Sequence, residues 1–212
     1  MKNISKYSLL SIFGLLFFSA CTKDEDEIPN IALTEFLEPF ENADHWVLLA
    51  DTIRKPGADV PQTAKIEQGC LDLYSKQDGG CGLATAIHYF DVKKSLGEEN
   101  LFSVVLDCKS FYCSTWGMVE VIINYDGMDY VCRLLGRMSQ PGKLTFTFDG
   151  KQLLPDENFA AENPELSIRS GESQTSSDYP NSFRIVADGC GPDNFHQASI
   201  TMHSMQRIIY RN

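Results

Sequence analysis

From about residue 46 onward the chain alternates apolar and polar positions with a period of two rather than 3.6, the pattern of strands that bury one face. In VEVIINY (119–125), Val119, Val121, Ile123 and Tyr125 share one face, and Glu120 and Asn124 take the other. In KLTFTFDGK (143–151), Leu144, Phe146 and Phe148 alternate with threonines. In QASITMHSM (197–205), Ala198, Ile200 and Met202 alternate with Ser199, Thr201 and His203. Similar segments occur near 46–51, 69–74, 83–90, 101–108, 128–135 and 182–187. Turn signals separate many of them: Asp78-Gly79-Gly80, Asp126-Gly127, Pro141-Gly142, Asp149-Gly150 and Asp188-Gly189. No long stretch keeps a helical period, which removes the crossover helices that a parallel sheet requires. Nine or ten half-buried strands therefore predict an all-β fold, two antiparallel sheets packed as a β-sandwich. Residues 155–180, rich in Pro, Glu, Asn and Ser, read as a surface excursion with one short strand near Leu166-Ser167-Ile168. No internal repeat or second domain is visible.

The first thirty residues follow a different rule. Lys2 and Lys6 precede an apolar run from Leu9 to Phe18, then Ser19-Ala20-Cys21 and the acidic Asp24-Glu25-Asp26-Glu27. A basic start, a short apolar core and small residues before a cut site make a secretory leader. The run is about half of the ~20 residues that span a bilayer. Phe18-Ser19-Ala20-Cys21 resembles the lipobox of bacterial lipoproteins, with Phe18 where that family carries Leu. In that family the chain is cut before the cysteine, which is then lipidated. The acidic run that follows resembles the surface-export signal of Bacteroidota lipoproteins. These resemblances imply a leader at 1–20 and a membrane anchor through acyl chains on Cys21. They imply an exported outer-membrane lipoprotein exposed at the cell surface. Residues 21–38 then read as the lipidated cysteine and a flexible acidic tether, because so polar a segment buries too little to offset its ordering. A single sandwich domain follows at 39–212.

Charge and cysteines narrow the chemistry. The chain carries 18 basic and 29 acidic side chains, a net charge of −11, with no basic stripe, which argues against nucleic acid as a partner. Setting Cys21 aside from the seven cysteines leaves Cys70, Cys81, Cys108, Cys113, Cys132 and Cys190. An even number in an exported chain reads first as disulfides. Cys108 and Cys113, flanking Lys-Ser-Phe-Tyr, are the pair closest in sequence to closing a small loop. Zinc is the rival reading, but four ligands at recognisable spacing are missing.

The strands HWVLLAD, CLDLYS, LFSVVLDCK, VIINYDGMDYVCRLL and KLTFTFDGKQLL resemble, in order and in their turns, the laminin-G and concanavalin-type jelly rolls. The resemblance covers most of residues 40–155 and implies a jelly-roll sandwich. It speaks to fold rather than function. The jelly-roll family includes glycoside hydrolases, whose chemistry needs two carboxylates facing each other across the scissile bond. Glu120 on MVEVIINYD and Asp107 on SVVLDCK each stand alone on their strands, so the paired motif is absent. The histidines, His45, His88, His196 and His203, are scattered, and there is no Gly-x-Ser-x-Gly elbow. The reading is a protein without catalytic machinery.

Binding is the more natural role. Sugars are held by aromatic faces stacked on their apolar ring surfaces and by polar groups on their hydroxyls. CKSFYCSTWGM places Phe111, Tyr112 and Trp116 within six residues, in what reads as a loop pinned by Cys108 and Cys113. The competing reading has Phe111 and Trp116 capping the core, where Trp46 is also expected. A structural calcium is a second expectation, at Asp188, Asp193 and Asn194 in ADGCGPDN or at Glu38, Glu41 and Asp44 in EPFENAD. Turn chemistry accounts for the same residues. The sequence thus points to carbohydrate binding at a cell surface. A structural or accessory subunit gripping a surface protein, and a divergent glycoside hydrolase, stand as alternatives.

Overall fold

The computed structural model describes residues 31–53, 62–76, 81–90, 102–170, 175–176, 181–189 and 196–211. Among them fourteen strands run in chain order with one short helix. They are β1 (Ile31–Glu38), β2 (Val47–Ile53), β3 (Gln62–Glu67), β4 (Cys70–Lys76), β5 (Cys81–Tyr89), β6 (Phe102–Cys113) and β7 (Met118–Tyr125). There follow β8 (Met128–Gly136), β9 (Gly142–Phe148), β10 (Leu153–Pro155), α1 (Glu157–Glu162), β11 (Leu166–Ser170), β12 (Thr175–Ser176), β13 (Ser182–Asp188) and β14 (Gln197–Arg211). One sheet has the order β10-β9-β6-β14-β4-β3, with β1 on the second half of β14. The other has the order β11-β8-β7-β13-β5-β2, with β12 beside β8. Every pairing is antiparallel. The chain is thus an all-β, two-sheet sandwich in which β4 to β7 step alternately between the sheets. The last two strands, β13 and β14, fill the centre of one sheet each, which is the nested order of a jelly roll.

Alternation decides which side chains go inside. On the first sheet Leu71, Leu73, Val104, Leu106, Phe146 and Phe148 are buried; on the second, Val119, Val121, Ile123, Phe183 and Ile185 meet them in one core. Each such side chain contributes about 1.5–3 kcal/mol relative to an exposed one. The β7–β8 hairpin turns on Asp126 and Gly127, at φ 51° and 75°, the two left-handed residues of a type I′ turn. Its twist matches the strands it joins.

Two irregularities shift the pattern. Thr201 pairs with Ser110, Met202 with Cys108 and Ser204 with Asp107, so Lys109 on β6 and His203 on β14 are extra residues in facing bulges. Beyond the bulge the buried positions of β6 move from Phe102, Val104, Leu106 and Cys108 to Phe111 and Cys113. The segment read as a disulfide-pinned loop is instead the end of a 12-residue strand. Cys108 and Cys113 both point into the core and are unbonded. Five steps along the strand place them about 16 Å apart, against a limit near 7 Å for a bridge, so the expected pair is ruled out by geometry.

The second correction concerns the tether. Ile31–Glu38, assigned to it above, is strand β1, paired with Met205–Arg211 of β14. Residues 1–30, with Cys21, lie outside the described residues.

Candidate functional site

The β6–β7 connection is a tight turn. The Gly117 N–H donates to the Ser114 carbonyl at 3.1 Å, which closes Ser114-Thr115-Trp116-Gly117. The turn is clasped to the start of β14. The Ser114 N–H donates to the Gln197 carbonyl at 2.9 Å, and the Gln197 N–H donates to Ser114 Oγ at 2.7 Å. Gly117 permits this approach: a Cβ there would stand 2.0 Å from the Gln197 oxygen. Trp116, carried at the tip, is 55% exposed and sets its ring edge to face against buried His196, with centroids 6.4 Å apart. Main-chain and serine hydrogen bonds, not a disulfide, hold it.

Trp116 heads a groove of about 910 Å³ on the outer face of the second sheet. Glu120 on β7, Arg133 on β8, Arg169 on β11 and Asp188 on β13 line it together with Met118 and Leu135. Strand register explains the gathering. Glu120 pairs directly with Arg133, and Arg133 with Arg169, so three charged residues form one row across three strands. Asp188 pairs with Met118, two residues along the strands from that row. Arg133 Nε donates to Glu120 Oε1 at 2.8 Å, partly screened from solvent. In the row beyond, Ile122 and Val131 join Val186 in a small apolar cluster on the same outer face.

The sequence-predicted residues separate here. Trp116 lies on the groove. Phe111, only 6% exposed, belongs to the core, because the bulge at Lys109 turns it inward. Tyr112 is 42% exposed but lies on the first sheet, bridging to Arg137, and does not line the groove. Trp46, at 6%, packs on Phe40, His88 and Phe183 as a core residue.

Of the calcium expectation, Asp188 lies at the groove, whereas Asp193 and Asn194 are outside the described residues. Glu38 of the alternative set is buried and accepts the Phe40 N–H at 2.9 Å, and Asn42 accepts the Asp44 N–H at 3.0 Å. Both are local turn bonds. Among the described residues no three His, Cys, Asp or Glu side chains converge on a metal position.

The sequence reading also missed a contact. Cys70 Sγ lies 3.3 Å from His203 Nδ1, on the outer face of the first sheet and away from the groove. The two residues are 133 positions apart and meet only through the β4–β14 pairing, so no local signal could reveal them. Burial pushes Cys108 up to about 12, with Asp107 adding to the effect, and burial likewise pushes Cys113 up to about 12. The thiolate is the reactive form. At pH 9 iodoacetamide is therefore expected to leave Cys108 and Cys113 unmodified in the folded protein and to modify both in denaturant. Peptide mass spectrometry reads the result, and modification of either in the native state would contradict the buried placement.

No family model matches the chain, and no curated protein matches it. Several solved structures do. The CBM2 module of the evolved Dit of Lactobacillus casei BL23 phage J-1 has 11% identity over 86% of this chain and 98% of its own, with a TM-score of 0.46. The carbohydrate recognition domain of Emp47p has 14% identity over 84% and 94%, with a TM-score of 0.39. The family 11 carbohydrate-binding module from Clostridium thermocellum, solved with a β-1,3-1,4-mixed-linked tetrasaccharide, has 14% identity over 82% and 95%, with a TM-score of 0.36.

Proposed function

We propose that this is a surface-anchored lipoprotein whose sandwich domain binds carbohydrate without acting on it. The observation that carries the reading is Trp116, a tryptophan more than half exposed and rigidly held at the head of a groove floored by polar side chains. Exposing an indole forfeits the burial that a core position would give it, and a ligand ring stacked on it recovers that area. The turn is already clasped to β14, so little ordering remains to oppose binding. Glu120, Arg133, Arg169 and Asp188 supply donors and acceptors for sugar hydroxyls along the floor.

The anchor part of the proposal rests on Phe18-Ser19-Ala20-Cys21 and the acidic residues after it. Metabolic labelling with a radiolabelled fatty acid tests it: label is expected on the full chain and lost in Cys21→Ser.

The binding reading is tested by affinity electrophoresis of the detergent-solubilised full chain through gels containing neutral and acidic polysaccharides. Retardation in at least one gel is expected. Free migration through all of them would overturn the carbohydrate reading.

A further inference from the structure

Resting on the carbohydrate reading, we infer that the groove selects an anionic glycan, one that places a carboxylate or sulfate between Arg133 and Arg169. The charges across the floor are ordered. Reading the strands β11-β8-β7-β13, the charged side chains are Arg169, Arg133, Glu120 and, two residues along the strand, Asp188. Cations occupy one side of the groove and anions the other. Sugar hydroxyls can donate to the anionic side and accept from the cationic one, but only an oxyanion also matches the charge of the cationic side.

Arg169 is the residue that makes this a site. The described side chains of the other arginines are engaged: Arg133 with Glu120, Arg137 with Glu165, Arg184 with Asp129 at 2.5 Å, and Arg207 over the ring of Phe90 at 4.9 Å. Arg169 is exposed and has no ion pair among the described residues. It also stands directly opposite Arg133, where Cβ atoms of paired residues lie about 5 Å apart. Like charges so placed repel, and Glu120 reaches only one of the two. An oxyanion between them removes the repulsion and gains charge-assisted hydrogen bonds from planar guanidinium groups. In a chain of net charge −11, the two facing arginines balance Glu120 and Asp188, so the groove does not share the acidic excess of the whole chain.

Affinity electrophoresis of the full chain decides the matter. Polygalacturonate, alginate and hyaluronan are each compared with the methyl-esterified polymer, which keeps the backbone and removes the charge. Chondroitin sulfate and a neutral mixed-linked glucan complete the panel. At least one acidic glycan is expected to bind about tenfold or more tightly than its neutral counterpart, and to weaken as salt rises. Arg169→Gln is expected to erase that preference and Arg169→Lys to keep part of it. Both are exposed edge-strand changes, and circular dichroism confirms that each variant is folded. Preference for the uronates names a carboxylate as the anion, and preference for chondroitin sulfate over hyaluronan names a sulfate. Equal binding of charged and neutral forms, or an undiminished preference in Arg169→Gln, would overturn the inference and leave carbohydrate binding standing. Free migration through every gel would overturn both.

Discussion

Replacing Phe148 with alanine is expected to cost about 3–5 kcal/mol of folding stability. The melting midpoint should fall by roughly 6–20 °C. Phe148 ends β9, is fully buried, and joins the two sheets through its ring. Its centroid lies 5.4 Å from Phe102 on β6 in its own sheet, and 5.5 Å and 4.8 Å from Tyr125 and Tyr130 on the facing sheet. Truncation removes three aromatic contacts together with the transfer energy of a phenyl ring, and a sheet backbone cannot collapse far to fill the space. Phe148→Leu keeps most of the volume and should cost less than half as much. Tyr112→Ala, on an exposed outer position, should change stability by no more than about 0.5 kcal/mol. A loss near 1 kcal/mol for Phe148→Ala, measured by thermal melts followed by circular dichroism, would contradict the sealed core described above.

The core was legible because its strands keep strict alternation between recognisable turns. Val119, Val121 and Ile123 face inward as the pattern of VEVIINY requires, and Asp126-Gly127 turns the chain where that dipeptide should. Legibility failed where alternation breaks. In β1 a register shift between Thr34 and Phe36 interrupts the period, so a strand beside an acidic run looked like more tether. In β6 the extra Lys109 reverses the inward parity, which turns Phe111 into core and carries Cys113 to the same face as Cys108. Cysteines five residues apart in a regular strand would sit on opposite faces, and nothing in the local sequence announces a bulge. The groove was half visible. Trp116 follows a short turn signal and could be singled out from its neighbours alone. Glu120, Arg133 and Arg169 form a row only because β7, β8 and β11 pair in one register, a long-range fact that residue types do not encode locally.

Replacing Trp116 with alanine is expected to weaken glycan binding by roughly 30-fold or more, equivalent to about 2 kcal/mol. The melting midpoint should stay almost unchanged. Both halves follow from one placement. An indole more than half exposed contributes little to folding, and the hydrogen bonds that shape its turn run through Ser114, Gly117 and Gln197 rather than through its side chain. Trp116→Phe should recover part of the affinity, because a smaller aromatic face still stacks. Gly117→Ala provides the contrast: its Cβ would collide with the Gln197 oxygen, so it should lose both binding and stability by forcing the turn off β14. Trp46→Ala provides the opposite one, since that ring lies in the core against Phe40 and Phe183 and should lower stability by about 3–5 kcal/mol. If Trp116→Ala binds as the parent does, stacking on this ring is not what holds a ligand, and the groove's polar row must act without it. If it melts well below the parent, the indole is structural and its exposure has been misread. Unchanged melting with lost binding is the single combination that a ligand platform produces and a core tryptophan cannot.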